Sequence, residues 1–259
     1  ARSLLAQPQS RSIWSNELRY SSNWQGPFNL VGGVFFQKEK SNFNSRVDSA
    51  DANGVAEANP IVYLWRSIDT EIENRSLFGE LSYDLTSKLT ATVGARWFQF
   101  DVDEQSSLMI ACCSGNTPGP GPAAPTASSD KDVNYKLNLS YEVNDDLLFY
   151  AQAAQGFRSG GNNEPGISVV PGCQNASSFS SDGLWNYEIG AKMALLDNRA
   201  VVNLTPYYID WSDMQVRAFN PLCNNARIAN AGEARIQGVS AADAKMIQAA
   251  VLWKDDHMI

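Results

Sequence analysis

Residues 133–143 read VNYKLNLSYEV, and apolar or aromatic residues alternate with polar ones over the whole stretch. Such alternation indicates a β-strand whose two faces meet different environments. The stretch also matches the roughly 9 to 11 residues that a tilted strand needs to cross the hydrocarbon layer of a membrane. A lysine facing lipid at the middle of a bilayer costs about 2 to 4 kcal/mol, so we expect Lys136 to point into an aqueous interior.

The same alternation recurs less regularly in further segments. We predict strands over residues 77–85, 89–97 and 185–195, weaker ones over 13–20 and 28–39, and others over 147–159, 199–216 and 227–239. The total is near nine strands. After Trp97 the phase changes, because Phe98, Phe100 and Val102 are apolar, and either a β-bulge or an exit from the membrane would explain this.

Short polar turns alternate with long irregular connections along the chain. The short turns lie at residues 23–27, 84–88, 143–146 and 196–199, and the connections at 41–69, 105–131, 160–183 and, shorter, 219–226. Outer-membrane barrels sort their loops in this way, with short periplasmic turns and long extracellular loops. Aromatic residues near the strand ends predict two interfacial belts, although strands of soluble proteins are also rich in aromatics. The belt residues are Trp24, Phe28, Tyr83 and Tyr141 on the turn side, and Trp97, Trp185, Tyr187 and Trp211 toward the long loops.

Composition excludes several classes of protein. The formal net charge of -8 and the lack of a basic patch argue against nucleic acid as a partner. No apolar run approaches the roughly 18 residues of a membrane-spanning helix. The first residues lack an initiator methionine and a signal-peptide pattern, so we expect a mature or internal piece of a protein.

The sequence predicts no catalytic site, no metal site and no cofactor. His257 is the only histidine, which leaves little room for a hydrolase triad. The four cysteines, in the long connections, are expected to form disulfides or remain thiols rather than bind zinc; they are Cys112, Cys113, Cys173 and Cys223. Residues 49–60 resemble part of a calcium loop, but Ser49 and Pro60 occupy its first and last ligand positions.

Two sets of polar residues are candidates for function. The first comprises charges expected on the inner face, which by default pair with one another and otherwise contact whatever fills the lumen: Glu80, Arg96, Lys136, Glu142, Glu188 and Lys192. The second comprises Arg158, Asn162 and Asn163, just beyond a strand exit, as candidates for ligand binding. Ordinary loop polarity is the alternative for each of them.

Five stretches resemble the TonB-dependent outer-membrane receptors, particularly the barrel of ferric-siderophore receptors. They are residues 78–97 (FGELSYDLTSKLTATVGARW), 150–161 (YAQAAQGFRSGG), 184–199 (LWNYEIGAKMALLDNR), 207–216 (YYIDWSDMQV) and 229–239 (ANAGEARIQGV). The resemblance implies a 22-stranded barrel with an N-terminal plug in the bacterial outer membrane. It also implies uptake of iron-siderophore complexes or similar scarce ligands, powered through the TonB system, and no enzymatic activity.

The sequence therefore predicts an all-β fold, an antiparallel transmembrane β-barrel that is partial, with about nine strands of a larger barrel. The barrel segment covers residues 1–239, and a divergent tail of helical or disordered residues covers 240–259. We expect outer-membrane lipid, a ferric-siderophore-like ligand and, through a plug absent from this chain, the TonB system as partners. The alternatives are a small self-contained passive outer-membrane barrel and a soluble carbohydrate-binding β-sandwich.

Overall fold

The computed structural model describes residues 2–111, 115–123, 125–163, 178–196, 199–220 and 225–243. All regular secondary structure in these residues is β-strand, and none of them forms a helix long and apolar enough to cross a membrane. The strands are β1 (Arg2–Ala6), β2 (Gln9–Ser21), β3 (Phe28–Ala50), β4 (Val62–Asp84), β5 (Leu89–Ile110), β6 (Pro118–Pro122), β7 (Thr126–Asn144), β8 (Leu147–Arg158), β9 (Gly161–Asn162), β10 (Ser178–Phe179), β11 (Asp182–Leu195), β12 (Ala200–Ser212), β13 (Gln215–Asn220), β14 (Asn225–Asn230) and β15 (Ala234–Asp243).

One antiparallel sheet contains eleven of the described strands. Its order is β3-β4-β5-β7-β8-β11-β12-β15, with β1 and β2 both paired to β3 and β6 paired to β5. Nine of these strands are long, which agrees with the predicted count near nine. Among the described residues β2 and β15 do not pair with each other, so the sheet is open, as expected for part of a larger barrel and not for a small closed one. The pairs β9–β10 and β13–β14 form two small sheets within the long connections.

The prediction of one continuous strand over residues 199–216 is wrong, and so is the prediction of another over residues 227–239. β12 ends at Ser212, because Asp213 adopts a positive φ of 52° that extended backbone cannot accommodate. Gly232, with φ of 79°, likewise separates β14 from β15. β15 then continues past Val239 to Asp243, and residues 244–259 of the predicted tail lie outside the described residues.

The two faces of the sheet differ in chemistry. Leu77, Trp97 and Val133 are cross-strand partners and therefore share one face, here called the outer face. Its large apolar side chains, such as Leu137 and Ile189, are exposed, as in a surface that contacts lipid. Lys136 lies on the opposite, inner face, which confirms its predicted direction.

β3, β4 and β5 are much longer than the alternation predicts. Their pairing continues toward the long loops beyond the apolar part of the outer face, which is called the apolar band below. As a result, the connection that was expected over residues 41–69 covers only residues 51–61. Above the band the outer face becomes polar: Lys38, Glu73 and Asp101 are successive cross-strand neighbours there. This part of the wall therefore stands in water, where hydrophobic alternation no longer marks a strand.

The phase change after Trp97 reflects exit from the membrane and not a bulge. β5 keeps an unbroken register with β7 from Leu89 to Glu104, so the side chains continue to alternate between faces. Phe98 lies on the inner face, is 1% exposed, and stacks on Phe157 with ring centroids 3.7 Å apart. At this height the outer face meets water while the inner face carries an apolar cluster.

The two predicted aromatic belts are present with one exception. On the turn side, the rings of Phe28 and Tyr83 are 4.5 Å apart, and toward the long loops Trp185 and Tyr187 are 5.9 Å apart. The assignment of Trp211 to the outer belt is wrong. Trp211 is opposite Leu184, and the register places both on the inner face.

Candidate ligand-binding surface

The most elaborate polar cluster of the described residues lies where β8 ends and β11 begins. Asp182 is directly opposite Arg158 in the register and is only 2% exposed. Nε of Arg158 donates to both carboxylate oxygens, at 3.1 and 2.9 Å, and Nη2 also donates to Oδ2. Two parallel charge-assisted bonds fix both direction and distance, so this pair is a rigid joint between the two strands.

Burial and hydrogen bonding act in opposite directions on the Asp182 carboxyl. Burial raises its pKa, but the hydrogen bonds from the Arg158 side chain and from the backbone N–H of Gln215 outweigh this, and the net pKa is lowered. The same pairing raises the pKa of Arg158. The carboxylate is therefore ionised at neutral pH.

Arg158 has two further contacts. Its guanidinium lies 4.5 Å from the centre of the Trp211 ring, and Nη2 donates to the carbonyl of Gln215 at 3.1 Å. Its side chain nevertheless remains 46% exposed. One side of this cation is thus available to a solute.

Asn163 and Asn162, the other two predicted ligand residues, are positioned differently. Asn163 is 6% exposed and bonds both backbone polar atoms of Ile228, donating to the carbonyl and accepting from the N–H, each at 2.8 Å. Asn162 donates to the carbonyl of Thr126 at 3.4 Å. Arg158 and Asn163 therefore both hold the β13–β14 hairpin, whereas Asn162 reaches the start of β7.

Two further residues that hold the β13–β14 hairpin in place were not predicted from the sequence. The side-chain amide of Gln215 donates to the carbonyls of Ser159 and Ser180, at 2.9 and 3.1 Å. Asn230 donates to the carbonyls of Ser180 and Asp213, each at 2.9 Å. Amides in loops carry no periodic signal, so the sequence gives no indication of these contacts.

The inner-face charges are only partly paired with one another. Lys136 Nζ lies 3.0 Å from Glu80 Oε1, as expected for a pair. Arg96 instead donates to Ser76 Oγ at 2.9 Å, and Lys192 lies 5.7 Å from the centre of the Tyr150 ring. Glu188 accepts from Asn186 at 2.6 Å. Charge pairing is therefore not the general rule on the inner face. Several of these charges contact a hydroxyl, amide or aromatic group of the same wall instead of a charge of opposite sign.

A concave region of about 570 Å³ lies on the inner face around Arg96 and Lys136. Here two cations flank two aromatic rings across four neighbouring strands: Arg19 lies 5.6 Å from the ring centre of Phe78, and Arg96 lies 5.8 Å from that of Phe35. Such a surface can hold a ligand that combines negative charge with apolar or aromatic parts.

Nothing in the described part of the chain forms a metal site of three or more His, Cys, Asp or Glu side chains. In the calcium-like segment, the Asp51 carboxylate accepts from the backbone N–H groups of Val55 and Asn53, at 2.9 and 2.8 Å, and these bonds lower its pKa. This geometry is an Asx turn. The four cysteines and His257 lie outside the described residues.

Comparison with known proteins identifies the family. A family profile described as "TonB dependent receptor-like, beta-barrel" matches residues 3–254. The chain belongs to this family of TonB-dependent receptors. Its place is therefore the outer membrane of Gram-negative bacteria, with the exposed apolar band in the lipid.

The chain is similar to part of several longer receptors. It is 25% identical over 211 residues to the pesticin receptors of Yersinia pestis and Yersinia enterocolitica, covering 81% of this chain and 28% of those proteins. The structure of the ferric yersiniabactin uptake receptor FyuA from Yersinia pestis matches with a TM-score of 0.72 and 22% identity, over 94% of this chain and 34% of that one. The closed form of the ferric-catecholate import receptor Fiu from E. coli K12 gives a TM-score of 0.67 at 14% identity, over 93% and 36%. These two structures support the fold.

Proposed function

We propose that this chain forms part of the wall of an outer-membrane receptor for TonB-dependent uptake of iron-siderophore complexes or similar scarce ligands. The observation that carries the proposal is the family match over residues 3–254. The similar solved structures, described as a ferric yersiniabactin uptake receptor and a ferric-catecholate import receptor, support the class of ligand.

The proposal includes parts that lie outside these 259 residues. In the complete receptor, a plug domain fills the lumen, and the TonB system acts on that plug. The share of the pesticin receptors that the chain spans, 28%, supports the view that it is one piece of a longer protein. The role of the chain is then binding and passage of a solute, without chemical conversion.

The inner surface of the wall suits such a ligand. Ferric chelates with carboxylate or catecholate donors carry negative charge, and the region around Arg19 and Arg96 offers cations beside aromatic rings. Above it, Arg158 presents a half-exposed cation. We propose that Arg158 contacts the ligand, together with Asn162 and Asn163.

The test uses the complete receptor in a Gram-negative host that lacks its own ferric-siderophore receptors. Growth on iron-depleted medium and uptake of radioactive iron are measured with a panel of ferric siderophores of known charge. We expect one class of anionic chelate to support growth. Replacing Arg96→Gln should weaken uptake by about tenfold to a hundredfold, because hydrogen bonds to charged groups contribute about 1.5 to 3 kcal/mol and each 1.4 kcal/mol corresponds to about a factor of ten.

Lys38→Gln serves as the matched control, since Lys38 is a cation on the outer face and does not meet the lumen. Its uptake should equal that of the unmodified receptor. A receptor that reaches the outer membrane in normal amounts, yet takes up no ferric siderophore of the panel, would contradict the proposal.

A further inference from the structure

The concave region around Arg96 and Lys136 on the inner face, here called the hollow, carries unbalanced positive charge. Three cations and two carboxylates line it, namely Arg19, Arg96, Lys136, Glu17 and Glu80. Glu17 Oε1 lies 2.7 Å from Arg19 Nη2, and Glu80 Oε1 lies 3.0 Å from Lys136 Nζ. Within the described residues, no carboxylate forms an ion pair with Arg96. The excess charge of the hollow therefore belongs to Arg96.

A glycine explains why Glu80 pairs with Lys136 and not with Arg96. Glu80 on β4 and Lys136 on β7 are both cross-strand partners of Gly94, on the β5 strand between them. A Cβ atom at Gly94 would come within 2.9 Å of Cγ of Glu80. The missing side chain thus gives Glu80 a path across β5 to Lys136, and Arg96 lies one inner-face position further toward the loops.

Neutral groups hold the guanidinium of Arg96. Its Nη2 donates to Ser76 Oγ at 2.9 Å, and Ser76 Oγ donates in turn to Asn74 Oδ1 at 3.2 Å. The guanidinium also lies 5.8 Å from the ring centre of Phe35, which is opposite Ser76 on β3. These contacts fix the direction of the side chain and leave its charge uncancelled.

The two residues behind Arg96 are buried. Ser76 is 4% exposed and Asn74 is 7% exposed. On β5, Ser76 is opposite Phe98 and Asn74 is opposite Phe100, so aromatic rings exclude water from this pair. Hydrogen bonds are electrostatically stronger in such a low-dielectric place. Arg96 itself remains exposed, and its guanidinium is therefore an exposed cation on a rigid, neutral support.

We propose that Ser76 and Asn74 are positioning residues that keep Arg96 unpaired, and that the hollow thereby selects an anionic group of the ligand. This inference rests on the proposed function, since it takes the imported chelate to contact the hollow. The neutral amide of Asn74 is the decisive group. Asn74→Asp has nearly the same shape, but it supplies the countercharge that Arg96 lacks.

The first test measures how fast phenylglyoxal, a reagent for guanidinium groups, modifies Arg96 in the complete receptor in detergent, with mass spectrometry to map the adduct. We expect modification of Arg96 in the unmodified receptor and about tenfold slower modification in Asn74→Asp, a change of about 1.4 kcal/mol. The matched control is Asn203→Asp, which adds a carboxylate opposite Lys192 on β12 and should leave the rate at Arg96 unchanged. Equal rates in the unmodified receptor and in Asn74→Asp would overturn the positioning role.

The second test measures protection of Arg96 from the reagent by ferric chelates. The probes are two anionic chelates, a ferric tris-catecholate and ferric citrate, and a neutral ferric trihydroxamate. We expect at least one anionic chelate to protect Arg96 and the neutral one not to do so. Equal protection by all three probes, or by none, would overturn the selection of an anionic group.

Ser76 variants separate positioning from packing. Ser76→Ala should raise the chelate concentration for half-protection about tenfold, which corresponds to about 1.4 kcal/mol of binding. Ser76→Thr keeps the hydroxyl and should restore protection, whereas equal impairment of both variants would show that Ser76 only packs. This pair also tests the proposal if Asn74→Asp fails to fold.

The modification rate does not depend on transport. A receptor with the expected rates and protection that takes up none of the chelates would contradict the proposed function alone. Normal uptake combined with an unchanged rate in Asn74→Asp would contradict the positioning role alone.

Discussion

The ring of Tyr150 lies flat over Gly190 on the neighbouring strand. A Cβ atom at Gly190 would come within 2.4 Å of the ring carbons, so only glycine leaves room for this arrangement. The hydroxyl of Tyr150 reaches across β11 to the hydroxyl of Thr205 on β12, at 2.8 Å. Next to this bond, the β11–β12 pairing omits Ile189 and Gly190 opposite Pro206 and Thr205, and a proline has no N–H to offer the ladder. The tyrosine therefore bridges a gap in the backbone ladder.

Replacing Gly190→Ala should destabilise the barrel by about 1 to 3 kcal/mol, because the new methyl group displaces the ring and breaks the hydroxyl bond. Denaturant unfolding in detergent, followed by the heat-modifiable band on a gel, measures the change. Gly183→Ala in the same strand is the control, since the nearest atom to its Cβ would be 4.0 Å away. Equal stability of the two variants would rule out the role given to Tyr150.

Two adjacent residues on β7 should differ in how well they tolerate a lysine. Leu137→Lys places a charge on the lipid face near the middle of the bilayer and should cost about 2 to 4 kcal/mol. Asn138→Lys places the same charge on the inner face beside polar groups and should cost clearly less. Folding titrations into vesicles provide the measurement. If Asn138→Lys proved the more harmful of the two, the assignment of the faces would be reversed.

Phe98→Ala should remove much of the packing above the membrane. Phe98 is 1% exposed and stacks on Phe157, and truncating such a ring costs about 3 to 5 kcal/mol. The control is Phe149→Ala on the outer face, whose ring is 45% exposed and should cost less. Hydrogen exchange should show faster opening at the loop-side ends of β5 and β8. Unchanged hydrogen-exchange rates at these strand ends would contradict a stabilising role for the contact between Phe98 and Phe157.

The Asp182–Arg158 joint should depend on pH in one direction. The folded-state pKa of Asp182 is lowered, so the carboxylate contributes stability that is fully present above the usual aspartate value of about 3.9. That contribution is lost as the pH falls through the lower folded value. Limited proteolysis within residues 213–233 should therefore stay slow from pH 8 down to about 4 and accelerate below it.

Asp182→Asn should open the hairpin at neutral pH and abolish this acid transition. The loss of charged hydrogen bonds, discounted because Arg158 is half exposed, predicts roughly 1 to 2 kcal/mol and about a tenfold faster cleavage. Asp210→Asn removes an exposed partner of Arg235 and should change cleavage very little. An unaltered acid transition in Asp182→Asn would assign it to another group.

The sequence predicts the wall well where the membrane imposes two environments. The strand over 133–143 and the direction of Lys136 follow from alternation alone, because lipid on one side and water on the other sort the side chains by parity. Above the band this sorting ends. There, polar residues occupy the outer face, namely Lys38, Glu73 and Asp101, whereas Phe98 and Val102 occupy the inner face. The strands therefore continue beyond the point where hydrophobic alternation in the sequence indicates them.

The candidate site is less predictable than the wall. Arg158 is conspicuous as a cation at a strand exit, but its partner Asp182 is 24 residues away in sequence and becomes its neighbour only through the β8–β11 register. Asn163 looks like ordinary loop polarity, and its two bonds to Ile228 depend on how a distant hairpin folds back. Non-local pairing of this kind leaves no local pattern to detect.

The tall rim formed by β3, β4 and β5 affects how molecules arrive at the cell surface. From Phe36 to Ala50, a tilted strand climbs on the order of 35 Å above the apolar band. That height is several Debye lengths at physiological ionic strength, each about 8 Å. An incoming solute on this side therefore first meets the charges at the top of this protein rim. At that height, salt already screens the electrostatic field of the anionic bilayer surface.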